Sequence, residues 1–511
     1  MGVDGILGKF YYLYITKLPP VNHLIENIQQ RLERVPMLKA LVPLVVGILI
    51  ADGVALPLWG VAIGFVVCAV MATALRQRAV AEVYIVVAIM LAGALALGVR
   101  QHFSTTPDTR TRMEIIVDKI TSKRERATMT DARLVAYNTE KSTIKSSAEV
   151  RIVAAAEVDI AENERLLVDA KIMPFDEDYY GRYMAARGVA GEVYIAPENI
   201  VQRRSDGGVG KWLRERAIDR IKQLNLKPEN EAIALAMSVA ERSGITPTLR
   251  QSYTRGGAAH LLAVSGLHVG FICVMTNLLL AWVAILRHGQ IVRSAVVVAV
   301  IWLFAAMAGF TPSIVRAAVM FSILQLSLQL ASRTDALNTL SLTAFMMLAW
   351  DARMLRDAGF LLSFVAVAAI IEWGVPLFPQ RSRGLTARAW RWLASGIATS
   401  AVATVATLPL TAYLFGEVSL WSVVTGTIMV ALAAVTVGAA MLWILFPIGA
   451  FQGVATHIIG GVTEAMNTIA AWSDKMGVLA AEVRIDGWLC VAIYAIMVVA
   501  TIIVWGARRR I

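Results

Sequence analysis

Two histidines, His260 and His268, flank Ser265 in the stretch Gly256 to Phe271, which reads GGAAHLLAVSGLHVGF. On a helix of 3.6 residues per turn, a spacing of eight puts both imidazoles on nearly the same face, with the hydroxyl between them. Lipid satisfies no polar group, so that face is expected to look into protein or water. Gly266 and Gly270 form a small-xxx-small pair that lets a second backbone approach closely. These residues fit a polar lining and fit equally a plain helix-packing seam with two hydrogen-bonded histidines.

A second candidate is GFTPSIVRAAVM, where Thr311 can cap a helix whose first position is Pro312 and whose second turn carries Arg316. A helix N-terminus beside a guanidinium suits an anion such as phosphate, and a buried carboxylate partner would suit Arg316 as well. Asp357 precedes GFLLSF, in which Gly359 and Ser363 repeat the small-xxx-small spacing. Asp335, Asp351, Arg356, Glu372 and Glu417 fall at expected helix ends, where charge is tolerated, and read as interfacial anchors. The chain contains no Walker phosphate loop, no HExxH and no nucleophile elbow, which removes the usual ATPase and protease machinery. Six histidines without metal-ligand spacing, and three cysteines (Cys68, Cys273, Cys490) that all lie in apolar segments, argue against a zinc site or a disulfide framework. No metal and no cofactor is expected.

The elements that must position these residues are mostly membrane helices. Hydrophobic residues make up 57% of the 511 and charged residues 17%, with a mean hydropathy of +0.63. Such a composition describes a polytopic α-helical membrane protein rather than a soluble enzyme. The net charge is +11, yet residues 101–260 hold 25 Lys and Arg against 23 Asp and Glu, so most of the excess sits on tails, membrane helices and short loops. Positive-inside bias accounts for that distribution without nucleic acid. Apolar runs at about 38–51, 57–75 and 80–99 are followed by nine more, near 261–286, 291–310, 314–331, 336–350, 357–376, 392–410, 415–432, 433–450 and 487–507. The reading is about 12 apolar segments, both termini cytoplasmic, and no cleavable signal peptide.

Between them, residues 101–205 alternate in short strands, at 114–117, 132–137, 149–153, 165–170 and 191–196. The spacing fits a small extracytoplasmic β-barrel of the OB type inserted after the third helix; OB barrels often bind oligonucleotides or oligosaccharides. Tyr179, Tyr180 and Tyr183 are candidate stacking surfaces there and equally candidate core. Residues 206–259 follow as amphipathic helices, 260–450 as the main membrane domain, and 451–511 as an external amphipathic segment plus a last crossing. The tail and first three helices occupy 1–100.

HLLAVSGLHVG, then GFTPSIVRAAVM, RTDALNTLSL, DAGFLLSF and LPLTAYLFGEVSL, in that order, resemble the motif series of the ComEC-like competence proteins, inner-membrane channels of natural DNA uptake. The match covers Glu231 to about Leu432, and FDEDYYGRYMAARGV is similar to a stretch of that family's external OB-like domain. Three departures stand out. Leu361 replaces a usual Gln, Thr425-Gly426-Thr427 replaces an Asn-Leu-Leu-like motif, and the chain ends at Ile511 without the metallo-β-lactamase-like domain of many relatives. The last departure implies that no nuclease resides in these residues, and with no ATPase motif either the chain is not expected to be an enzyme.

The resemblance implies a channel in the cytoplasmic membrane that passes single-stranded DNA during transformation, with the OB-like domain outside. His260, Ser265, Gly266, His268, Arg316, Asp357, Gly359 and Ser363 are then the expected path or gate. The lipid bilayer, a separate nuclease, a periplasmic DNA receptor and a cytoplasmic motor are the expected partners. The alternatives are a secondary transporter for a small anionic solute and a non-conducting scaffold of an uptake complex.

Overall fold

The computed structural model describes residues 21–507 except 55–56, 76, 103, 124–126, 140–141, 159, 161–163, 177–180, 182–183, 185–187, 206–208, 263, 330–334, 375–384, 420–421 and 477–479. Helices α1 (Val21–Arg34), α2 (Pro36–Gly53), α3 (Leu58–Ala74) and α4 (Arg78–His102) come first. Gly47 and Gly93 set the crossing of α2 and α4: a Cβ on either would collide with the backbone of Met90 or Leu44. This is the small-residue contact that lets two membrane helices approach to backbone distance.

The β domain follows with β1 (Thr111–Lys123), β2 (Ala127–Asn138), β3 (Thr143–Lys145), β4 (Glu149–Ala155), β5 (Glu164–Ala170), β6 (Ile172–Met173), β7 (Val189–Ile195) and β8 (Ile200–Ser205). Its order is β6-β7-β4-β2-β1-β5-β8, with β3 paired to β2. Among the described strands of this sheet every pairing is antiparallel except β4 with β7, which is parallel. Alternation of the apolar residues sends Met113, Ile115 and Val117, Val150, Ile152 and Ala154, and Leu166, Val168 and Ala170 to one face, where they form a single core. The expected strands are present. The sheet has eight of them rather than five, and it does not close into the expected barrel.

The remaining described residues are mainly helical: α5 (Val209–Lys222), α6 (Pro228–Val239), α7 (Pro247–Arg255), α8 (Gly266–Leu279), α9 (Gly289–Met307), α10 (Pro312–Gln329), α11 (Ala336–Trp350), α12 (Ala358–Ala369), α13 (Leu385–Phe415), α14 (Ser422–Leu445), α15 (Gln452–Met476) and α16 (Gly487–Ala507), with β9 (Glu417–Ser419) pairing β10 (Ala480–Glu482). Among the described residues six helices are long and apolar enough to cross a membrane: those at 36–53, 79–101, 289–307, 394–415, 425–445 and 487–504. Five shorter apolar helices of 14 to 17 residues accompany them among the described residues, against the expected count of about 12 apolar segments. Two expectations change for local reasons. The run 261–286 is broken into a 3-10 turn, α8 and a second 3-10 turn, because Ser265 caps α8. The runs 415–432 and 433–450 give one helix, α14, since no charge or proline interrupts Ser422 to Leu445.

Among the described residues the helices pack into two main cores and a smaller cluster of Val35, Leu337 and Leu340. One joins α5 to α10 with α14 and α15 around residues such as Ile221, Ile233, Met237, Tyr253, Ile301 and Met429. The other joins α2, α4, α11 and α12 through Leu44, Ile48, Leu97, Leu348 and Phe360. The external amphipathic segment expected near 451–486 is mostly α15, docked on the first core by Lys227 and Asn230, which donate to the Glu464 carboxylate at 3.1 and 2.8 Å. Met37 N donates to Asn338 Oδ1 at the start of α11, and Arg356, just past its end, pairs with Asp52. Helices α2 and α11 therefore run parallel. α1 lies at their first ends and the β domain at their last.

Candidate functional site

Sequence spacing places His260, Ser265 and His268 on one helical face; the structure joins Ser265 to His268 and puts His260 in a separate turn. His260 sits in the 3-10 turn Ala259–Leu262 and is exposed. Ser265 is extended, at φ −112° and ψ 170°, and starts α8. Its backbone N–H donates to His268 Nδ1 at 2.9 Å, and its Oγ lies 2.9 Å from the same nitrogen. Because Nδ1 accepts, the ring proton of the neutral imidazole resides on Nε2. That Nε2–H is buried and has no partner. The histidine is thus a helix-capping side chain with one donor to spare.

Gly266 and Gly270 do face a neighbouring helix. A Cβ on Gly266 would lie 3.4 Å from Ala317 Cβ, and one on Gly270 would meet the Phe321 ring at 2.8 Å, so both glycines seat α8 against α10. His268, two residues from each, is carried to the other side of α8 by the 100° helical step. That side is shared with Phe271, whose ring packs on Gly438 of α14. The histidine therefore lies on the side of α8 away from α10.

Arg316, Asp357 and Gly359 do come together. Chain reversal at Gly309 (φ 74°) and Phe310 (φ 48°) turns α9 into α10, and Arg316 stands in the second turn, 5% exposed. Its Nη1 is 3.7 Å from Asp357 Oδ1. Asp357 is already engaged as the cap of α12, accepting from Phe360 N at 2.7 Å. Arg316 Nε is buried without a partner. A Cβ on Gly359 would stand 3.1 Å from Asp357 Oδ1 and 3.5 Å from Arg316 Nη2, so only glycine leaves the pair its room. Ser363, one turn on, is partly buried. The pair lies where the two helical cores meet, since Ile314 and Ala317 belong to the first and Phe360 to the second.

Several polar residues at helix interfaces carry no sequence motif. Gln325 on α10 is buried, accepts from Ser294 Oγ at 3.1 Å and lies 3.5 Å from Cys273 Sγ. Arg31 of α1 donates to Asp335 at 2.5 Å and to Glu372 at 2.7 Å; Glu372 is buried on a π-turn, Ile370–Gly374. The side chain of Glu417 lies outside the described residues, as do Tyr179, Tyr180 and Tyr183.

The β domain meets the helices at Arg353. This guanidinium takes the Asp351 carboxylate through two bonds, at 3.1 and 3.0 Å, and reaches Glu149 of β4 at 3.2 Å. Burial raises the Glu149 carboxyl above the ordinary range for Glu against the attraction of Arg353, with Asp351 and Asp118 adding to the rise and Arg133 opposing it. Asp351, also penalised by burial, ends below its ordinary range because Arg353 bonds it directly. Arg353 serves Asp351 first. Among the described residues no group of His, Cys, Asp and Glu is arranged to hold a metal ion.

Six spanning-length helices, a β domain at one end and a charged seam between two helical cores define a polytopic membrane protein with an appended sheet domain. The chain belongs to the family described as Competence protein, whose model matches residues 237–508, more than half its length. It is similar to ComE operon protein 3 of Bacillus subtilis (strain 168), 27% identical over 205 residues, or 40% of this chain. That stretch spans 25% of the relative's length. No solved structure matches the chain.

Proposed function

We propose that this protein acts in natural transformation as the conduit that passes a single DNA strand across the cytoplasmic membrane, with the β domain outside and both termini inside. The observation that carries the reading is Arg316: a buried cation with one long ion pair and an unpartnered Nε–H, in a glycine-lined seam between two helical cores. A polyanion needs donors that meet its phosphates without holding them, because conduction requires release. A guanidinium only partly neutralised by Asp357 has that character. Membership of the Competence family supports the same reading.

On this reading the two cores separate along the α10–α12 seam to admit the strand, and the shorter apolar helices serve as tilted or partial crossings. The sheet works as an open OB-like surface that receives the strand. The residues of the seam supply positioning and charge for the strand, and the pulling force comes from a partner on the cytoplasmic side. Twelve crossings and a closed barrel form no part of the proposal.

The test is DNA uptake in competent cells lacking the protein, complemented with wild type or Arg316→Gln at equal membrane abundance. Uptake that disappears with the deletion and stays absent with Arg316→Gln supports the conduit. Unchanged uptake in the deletion overturns it. Loss of uptake together with loss of a small-anion flux in vesicles holding only this protein would assign Arg316 to a solute transporter.

A further inference from the structure

Seven consecutive residues, Asp351 to Asp357, tie five separate elements together. Asp351 ends α11, accepts from Arg353 N at 3.1 Å and so caps the turn Ala352–Arg356. Arg353 leaves the turn toward the β domain and Glu149. Arg356 leaves it toward Asp52 at the end of α2. Asp357 closes it, capping α12 and facing Arg316 of α10. The turn is short and internally bonded, with Met354 N donating to Asp351 O and Asp357 N to Met354 O at 3.1 and 3.0 Å. It therefore has little slack to absorb a displacement at Arg353.

The β-domain end of this link is equally confined. Glu149 opens β4 and stands opposite Val189, which opens β7, in the parallel pair. The residue before Val189 is Gly188, at φ +83°, and a Cβ there would lie 3.4 Å from Arg353 Cδ. Arg353 thus touches the adjoining starts of both parallel strands. One of its own nitrogens, Nη1, is buried without a partner. Glu149 ionises reluctantly in this setting, so the contact is a poor source of stability and a good specifier of position.

We infer that the Asp351–Asp357 segment is a mechanical link that couples the β domain to the Arg316–Asp357 seam. A shift of the β4 and β7 starts moves Arg353, the turn carries the movement to Asp357, and Asp357 loosens its hold on Arg316 and on the first turn of α12. The identification of the trigger as a single DNA strand on the β domain rests on the conduit reading. The coupling itself rests on the geometry.

The experiment is hydrogen exchange, followed by mass spectrometry, on the full chain in lipid nanodiscs. Glu149→Gln cuts the contact from the β-domain side and changes nothing between residues 351 and 357. It keeps the fold, since it replaces a carboxylate that burial already disfavours. The expected result is a several-fold loss of protection at the start of α12, where Asp357 holds Phe360 N–H. Arg110→Gln, which removes the exposed ion pair to Asp169 elsewhere on the sheet, is expected to leave α12 unchanged.

Wild-type protection of α12 in Glu149→Gln overturns the link, and so does equal loosening by both variants. Uptake measured in the same strains separates this inference from the conduit reading. Coupled exchange with normal uptake in an Arg316→Gln strain keeps the link and removes the conduit. Uncoupled exchange with uptake lost in that strain does the reverse.

Discussion

Arg31 and Arg316 are two arginines set among apolar helices, and the protein treats them oppositely. Arg31 is held by two carboxylates, at 2.5 and 2.7 Å, one from the cap of α11 and one from the π-turn after α12. Arg316 has one carboxylate at 3.7 Å, and that carboxylate is shared with the α12 cap. The first arrangement saturates the cation and fastens α1 to the ends of two helices. The second leaves donor capacity in a closely packed seam. Buried charge is expensive in both places, so an arginine left under-partnered is expected where something else completes it.

Substitutions that remove this contrast have the largest expected effects. Arg31→Ala leaves Asp335 and Glu372 facing each other at a largely buried site, a loss of about 3–5 kcal/mol of the kind seen for broken buried pairs. Thermal melting in detergent and membrane abundance are both expected to fall sharply, and an unchanged melting temperature would place Arg31 with the dispensable surface pairs. Gly359→Val forces a side chain between Asp357 and Arg316, with a cost of about 1–3 kcal/mol from overpacking. Uptake is expected to drop further than abundance, which quantitative transformation alongside a membrane blot would read.

Arg316→Gln sits lower on the stability scale. Asp357 retains its capping bond and is a third exposed, so the expected loss is about 1 kcal/mol or less. The melting curve should barely move while uptake falls, the reverse of Arg31→Ala. A matched drop in both would erase the contrast between the two arginines.

The smallest effect concerns pH. Glu149 has a raised carboxyl in the folded state, so folded and unfolded chains bind its proton alike below the ordinary Glu range. As pH rises through the interval between the ordinary and the raised value, the unfolded chain ionises first and stability declines. Glu149→Gln removes that component. Melts taken across and above the ordinary Glu range should show a shallower fall with rising pH for the variant than for wild type. A steeper fall would reverse the assigned sign.

Much of this architecture was legible because its signals are local. Alternation placed the strands at 114–117, 132–137, 149–153 and 165–170, and small-xxx-small spacing identified Gly266 and Gly270 as a helix contact. Asp357 and Gly359 were legible as candidates beside Arg316. Their meeting was not, because it joins residues 41 or more positions apart on separate helices. The Arg31 cluster was further from reach, since its partners lie 304 and 341 positions away. Periodicity misled at His260 and His268: it assumes one unbroken helix, whereas the Ser265 cap restarts the helix between them.

The parallel pairing of β4 with β7 bears on how the chain becomes a protein at all. Two parallel neighbours cannot be joined by a hairpin, so residues 156–188 must cross over before β7 can be laid down. The sheet therefore has no small, self-sufficient nucleus of adjacent hairpins that joins β7 to β4. Contacts of long sequence separation make such sheets slow to form. During synthesis the strands up to β5 would wait with an open edge until Val189 arrives. An unpaired edge of this kind invites pairing with other chains, which makes protection of the nascent sheet a condition of correct assembly.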